Sequence, residues 1–338
     1  MKNVYHLLSL FGKIKNRRIK LLGIYLLHIF NKRYIGIFLD PVIACNFRCR
    51  MCYFSDSESK TKEHKKIDIE DIELIANSIF HRALKLQIGC GAEPTLYKGI
   101  LRIISLGKQH HIPYISITTN GALITKELLN KYAEAGLNEI TLSLHGLKKE
   151  TYDFFMTNGK FEHIPELLKN IAEVKHTYPD LKLRINYTIN QDNLFDLVEF
   201  NNLFNKVPLD IIQLRPIQKI GNSVYNNFST QTIVDNYECI IAPIINECKR
   251  KGIICIAPSK KNILVAEKAK ESDNSIEEAT YCYVSPTTCW QKDFDYKSEN
   301  FESYSKRKRV SLQLFKSIFI TPKKGKKDVT TKLNYSIK

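Results

Sequence analysis

The sequence predicts an α/β chain folded as a partial (β/α)6 TIM-like barrel, with an N-terminal helical extension and a small C-terminal extension. Two observations carry that prediction. Between Tyr34 and about Ile220, six β-branched, apolar runs alternate with segments whose apolar residues fall at helical spacing. The motifs that bear chemistry also stand at the ends of those runs, where parallel sheets place their active groups. Alternation of this kind implies parallel strands joined by right-handed crossovers, and six units suit a barrel or part of one.

The elements follow in order. GIFLDPV (36–42) reads as the first strand, and a cysteine-rich loop comes after it. IDIEDIELIANSIFHRAL (67–84) has the 3.6-residue period of a helix, LKLQIG (84–89) reads as a strand and YKGILRIISLGKQHH (97–111) as a helix. YISITT (114–119) is a strand ending in Asn120–Gly121, and KELLNKYAEAG (126–136) is a helix stopped by its glycine. EITLSLHG (139–146) is a strand, with a long helical region from there to about Thr177. LKLRINYTIN (181–190), FDLVEFNNLF (195–204) and DIIQLRPI (210–217) read as strand, helix and strand. Beyond Ile220 the pattern weakens. TIVDNYECIIAPIINECKRKG (232–252) looks helical, IICIA (253–257) is a short strand, and a polar acidic stretch (267–279) leads into YCYVSPTTCW (281–290). The expected organisation is a basic amphipathic extension (1–33), a barrel core (34–220), a C-terminal extension (221–305) and a basic, partly disordered tail (306–338).

Composition sets the class. With 338 residues, 43% of them apolar and 25% charged, the chain suits one large enzyme domain with appendages, and wholesale disorder, collagen-like repeats and multi-span membrane proteins are excluded. Nine cysteines without a cleavable signal pattern argue for reduced thiols in a cytoplasmic setting rather than a disulfide framework. The net charge of +16 is terminal. Residues 1–33 carry eight Lys and Arg and no acid, and residues 306–338 carry eleven against Asp328 alone, which leaves the body near neutral. Basic arms attract phosphate of any kind. Leu21–Phe30 is apolar apart from His28 and is too short to span a bilayer, which needs about 20 residues. It reads as a helix that caps the core, or as one lying on an anionic membrane surface, which would make the protein peripherally membrane-associated.

The sharpest signal is CNFRCRMC, with Cys45, Cys49 and Cys52 directly after the first strand. Three thiolates within eight residues could bind zinc completed by a distant fourth ligand, or three irons of a four-iron cluster with the fourth iron left open. In this position the motif resembles the radical SAM superfamily, and the likeness covers about residues 34–220. Cys45, Cys49 and Cys52 match that family's cluster ligands one by one. The resemblance implies a [4Fe–4S] cluster whose open iron is chelated by S-adenosyl-L-methionine, and one-electron cleavage to a 5′-deoxyadenosyl radical that takes hydrogen from a substrate. It also implies an electron donor of the flavodoxin or ferredoxin kind.

A second match follows the second strand. Gly91, Ala92, Glu93 and Pro94 stand where the family has a Gly-Gly-Glu-Pro type motif for the methionine amino group, with Ala92 replacing a glycine. Asn120 in TTNG, Ser143 in SLHG and Asn186 in the fifth strand stand where relatives contact the cofactor's ribose or carboxylate. His145 takes the place of a frequent Asp, and Met51 that of a frequent aromatic. Many relatives append an auxiliary iron–sulfur cluster of the SPASM or Twitch type. Among Cys239, Cys248, Cys255, Cys282 and Cys289, the last two are the candidates for one, because they read as loop residues; Cys90 reads as packing.

The expected function is therefore a radical SAM oxidoreductase acting on a peptide or protein. The alternatives are RNA or another small molecule as substrate, or a non-catalytic cysteine-bound metal module that meets anionic surfaces through its termini. Nucleic acid is the less favoured partner.

Overall fold

The computed structural model describes residues 11, 14, 16–56, 65–218, 222–266 and 275–320. Helix α1 (Arg17–Ile29) leads into β1 (Ile35–Leu39), α2 (Ile69–Ile79), β2 (Ala83–Ile88), α3 (Ile100–Gln109) and β3 (Ile115–Thr119). There follow α4 (Lys126–Ala135), β4 (Glu139–Leu144), α5 (Lys149–Phe155), α6 (His163–Thr177), β5 (Lys182–Ile189), α7 (Phe200–Phe204) and β6 (Ile211–Pro216). Then come α8 (Gln231–Asp235), α9 (Ala242–Lys251), β7 (Ile254–Ile256), α10 (Lys260–Ala266) and α11 (Ser275–Thr280). The described chain closes with β8 (Tyr281–Ser285), β9 (Thr288–Cys289), α12 (Phe301–Lys308) and α13 (Val310–Phe319).

One sheet runs β7-β6-β5-β4-β3-β2-β1-β8-β9, parallel throughout except for the β8–β9 hairpin. It does not close, so the architecture is the partial TIM-like barrel of the sequence reading. The strand pattern shows why. In β5, Leu183, Ile185, Tyr187 and Ile189 are buried, while Lys182, Arg184, Asn186 and Thr188 alternate with them on the half-buried opposite face. Register then aligns Ser143, Asn186 and Gln213 across β4, β5 and β6, with Thr188 beside Arg215 one step further on. The crossover helices cover the apolar face: α2 buries Ile72, Ile75, Ala76 and Ile79, a stripe at helical spacing. Thr125 caps α4 through the Leu128 amide, and Gly136 ends it at φ +109°, a conformation that favours glycine.

Several elements differ from the sequence reading for physical reasons. The long helix after β4 is two, α5 and α6, separated at Met156–Glu162. Residues 195–199 form a 3-10 turn, so only Phe200–Phe204 is α-helical. The helix at 232–252 is interrupted by a π turn at Tyr237–Ile241, directly before Pro243, whose missing amide breaks the hydrogen-bond ladder. YCYVS is a core strand and not a loop: β8 lies parallel to β1, pairing Gly36 with Tyr281 and Leu39 with Val284.

Helix α1 packs against α13 and α11, and its His28 meets Tyr34 just before β1. It buries Leu21, Ile24 and His28, each apolar side chain contributing about 1.5–3 kcal/mol. The Arg17 guanidinium donates to the Ser317 carbonyl at 2.7 Å, tying the start of α1 to the end of α13. Asn300 and Ser303 form a reciprocal capping box on α12. The basic tail is thus helical as far as Phe319, and the disorder expected for 321–338 lies outside the described residues.

Candidate functional site

The site is assembled where the loops after β1, β2 and β3 meet. Asp40 ends β1 with its carboxylate buried, accepting the amides of Cys90 (2.7 Å) and Gly91 (3.1 Å) and the Tyr283 hydroxyl (2.8 Å). Burial raises its pKa, and the amide and hydroxyl bonds offset only part of that rise. Gly89 begins the second loop at φ +80°, and a Cβ there would meet the Thr118 carbonyl oxygen at 2.4 Å, so only glycine fits. With those amides turned to Asp40, the Gly91 carbonyl faces the cysteine loop and accepts the Tyr53 hydroxyl at 2.6 Å.

Cys45, Cys49 and Cys52 lie on that loop, half-buried. Its conformation is fixed from outside: Arg48 and Arg50 donate their amides to Thr157 and Phe155, Glu93 donates its amide to Ala44, and the Arg48 guanidinium grips the Cys45 carbonyl at 2.6 Å. The thiols crowd one another in a dry setting. Burial, then mutual repulsion, pushes Cys49 well up, and burial takes Cys45 to about 12. Thiols so placed become thiolates only against a strong positive charge, which is what an iron centre supplies. Among the described residues no three Cys, His, Asp or Glu are drawn in to hold a single metal ion.

Glu93 is turned inward and is 2% exposed. Its Oε1 accepts the hydroxyls of Thr95 (2.6 Å) and Thr119 (2.7 Å), and its Oε2 accepts the Asn120 amide (2.8 Å). Asn120 in turn donates to Asn46 at 2.8 Å and accepts from the Ala122 amide. The carboxylate read from the sequence as a contact of the cofactor's amino group is therefore engaged in joining the loops after β2 and β3 to the cysteine loop. Gly91 and Ala92 are half-buried beside it, and Pro94 is buried.

Further along the sheet, a cavity of about 430 Å³ opens over the C-terminal ends of β4 to β7. Met51 and Cys52 form one wall, Ile256–Pro258 the opposite one, and His145, Thr188, Gln213 and Arg215 lie between. Burial lowers the His145 pKa to about 4, with Arg215 adding to the effect, so the ring is neutral at physiological pH. Arg215 reaches solvent at its exposed end, while partial desolvation, and then Arg184, lowers its pKa; it forms no ion pair among the described residues. Asn190 donates to the Met51 sulfur at 3.0 Å. Ser143 and Asn186 face each other across β4 and β5, where Asn186 accepts from Arg184 at 3.0 Å.

Sequence reading thus missed Asp40, Asn46, Tyr53, Arg215 and Tyr283. Asp40 and Arg215 left a signal, a charge interrupting an apolar strand at its C-terminal end. Cys282, expected in a loop, is fully buried in mid-β8; Cys289 sits on β9 opposite Val284, and among the described residues no third ligand joins them.

The sequence profile described as the radical SAM superfamily matches residues 41–190, the segment that holds both loops. Residues 41–190 thus carry the radical SAM signature. That superfamily uses a [4Fe–4S] cluster and S-adenosylmethionine. The free thiols of Cys45, Cys49 and Cys52 are a donor set of the kind that fits such a cluster. Curated relatives include a probable GTP 3′,8-cyclase of Sulfolobus acidocaldarius, 28% identical over 63% of this chain and 67% of that protein. Another, from Saccharolobus solfataricus, is 28% identical over 53% of this chain and 55% of its own length. Among solved structures, Streptococcus suis SuiB bound to S-adenosylmethionine superposes with a TM-score of 0.59 at 17% identity, over 77% of this chain and 61% of that one. The anSMEcpe structure with bound AdoMet gives 0.52 at 17%, over 66% and 61%. At such identities these two structures speak for the fold. The chain spans between about half and two thirds of the length of the curated relatives it matches.

Proposed function

We propose that this chain is a radical SAM enzyme that takes hydrogen from a peptide or protein segment lying in the cavity over β4 to β7. The observation that carries the reading is the position of that cavity. It runs from the cysteine loop, at Met51 and Cys52, to β7, at Ile256, whose outer edge is unpaired among the described residues. A free strand edge beside the reactive wall suits an extended segment, which can add its own backbone hydrogen bonds there. Streptococcus suis SuiB, a neighbour in fold, is also seen bound to its precursor peptide SuiA.

When bound, the cluster and S-adenosylmethionine supply a 5′-deoxyadenosyl radical, the electron coming from a flavodoxin or ferredoxin-like donor. The chain's own groups position and shield. Asp40, Glu93 and Tyr53 hold the cofactor loops against the cysteine loop, and Arg215 takes an anionic group of the substrate. His145 stays uncharged beside it. The free thiols suit the reducing cytoplasm.

A second reading has a nucleoside triphosphate as substrate, favoured by Arg215, which forms no ion pair among the described residues, and by the curated relatives' description as probable GTP cyclases. Anaerobically reconstituted protein given dithionite and S-adenosylmethionine separates the two. Release of 5′-deoxyadenosine should rise with peptides carrying Asp or Glu and remain at its uncoupled level with GTP; the reverse pattern overturns the peptide reading.

A further inference from the structure

Helices α1 and α13 each carry two apolar stripes. On α1 the first, Leu21, Ile24 and His28, is buried, while Ile19, Leu22, Leu26 and Ile29 repeat at helical spacing on the outside and continue into Phe30. On α13, Leu314 and Ile318 are buried and Leu312, Phe315 and Phe319 face out, followed by Ile320. Phe30, Phe319 and Ile320 are more than 60% exposed. These outer stripes hold nine of the twenty large apolar side chains exposed among the described residues, so this is a patch and not scatter. The helices lie side by side, with Tyr25 and Phe315 ring centroids 5.5 Å apart.

Charge surrounds the patch. Arg18, Lys32, Lys306, Arg309 and Lys316 form no ion pair among the described residues. A cavity of about 420 Å³ opens where α1, α12 and α13 meet, lined by Lys306, Arg309, Asn31, Ser311 and, from the outer stripe, Leu312. Arg309 stands in it at φ +53°, the left-handed position between α12 and α13 where glycine is the usual residue. Glu302, which also lines the cavity, is taken up by His81 and Arg82. The other acids nearby are Glu277 and Glu278, on the adjoining α11, and Asp293 and Glu299, which pair with Arg307 and Lys308 of α12. Beyond Ile320 the sequence continues with six lysines against Asp328.

We propose that the α1–α13 face docks on an anionic phospholipid surface, with the outer stripes entering the acyl boundary and Lys306 and Arg309 receiving a headgroup phosphate. Among the described residues no helix is long and apolar enough to cross a membrane, so the contact is interfacial. Apolar burial and electrostatic attraction act together in such contacts, and the second term is screened beyond about 8 Å at physiological salt.

The full chain is tested by co-sedimentation with phosphatidylcholine vesicles, with and without phosphatidylglycerol. Pelleting should need phosphatidylglycerol and weaken as salt rises. It should fall about tenfold or more in Leu26→Ser/Phe319→Ser and in Lys306→Glu/Arg309→Glu, both of which alter exposed side chains and should keep the parent's circular dichroism. Absence of pelleting, equal binding to phosphatidylcholine alone, or unchanged binding by both variants overturns the proposal. A dimer in sedimentation velocity that the apolar double variant dissociates, without pelleting, assigns the face to a second copy instead. RNA binding lost only in the charge-reversed variant, again without pelleting, assigns it to nucleic acid.

Discussion

Tyr283 donates its hydroxyl to the Asp40 carboxylate at 2.8 Å, joining residues 243 apart in sequence. Through it β8 steadies β1, and Asp40 passes that rigidity to the amides of Cys90 and Gly91. The C-terminal part of the chain therefore helps to shape the loop after β2.

Asp40→Asn should expose the consequence. The amide keeps the shape but loses the charge that orients two backbone donors, so S-adenosylmethionine affinity of the reconstituted protein should fall about tenfold, ~1.4 kcal/mol. Iron content should be unchanged, and Tyr283→Phe should cost less. Calorimetry showing parental affinity in Asp40→Asn would remove this loop-holding role.

Glu93→Ala should destabilise the protein before any cofactor is added. Its carboxylate is buried and accepts from Thr95, Thr119 and Asn120, so its loss strands those donors and should cost about 3 kcal/mol or more. Urea unfolding of the cofactor-free protein measures this. Parental stability combined with weakened cofactor binding would return Glu93 to the role of a direct ligand.

Arg215→Gln should separate substrate binding from cofactor cleavage. The substrate's KM should rise about tenfold to a hundredfold, the range for losing a charged hydrogen bond, while substrate-free 5′-deoxyadenosine release stays near the parent's. If both fall together, Arg215 serves the cofactor and not the substrate.

His28 gives a pH signature. Burial, reinforced by Arg82 and opposed by Glu302, lowers its pKa from 6.5 to about 4. Between those values the unfolded chain binds a proton that the folded chain refuses. Stability from the neutral ring is therefore complete above pH 6.5 and is lost as the pH falls toward 4. Thermal melts of the parent should drop more steeply across that window than those of His28→Gln. Parallel slopes would contradict the assignment.

The barrel was legible because its signals are local. β5 alternates apolar and polar residues without a break, and the six units each carry their own period. The cysteine loop was equally legible, its three ligands lying within eight residues. What stayed hidden depends on distant pairing. YCYVS is too short and too mixed to announce a strand, and only its place beside β1 makes it one, which is why Cys282 looked like a loop thiol. Glu93 had the right residue type in the right place, yet its direction is set by Thr119 and Asn120 on the next strand's end. The outer stripes of α1 and α13 were visible as an apolar run only in α1, because the second stripe means something only once the first is seen buried.

The central claim is that Cys45, Cys49 and Cys52 hold a cluster that serves S-adenosylmethionine cleavage. Anaerobic reconstitution followed by metal analysis and a dithionite assay tests it directly. The parent should bind about four irons per chain and release 5′-deoxyadenosine, and Cys45→Ala/Cys49→Ala/Cys52→Ala should lose both. Zinc in place of iron in the parent, or continued 5′-deoxyadenosine release by the triple variant, would contradict the account.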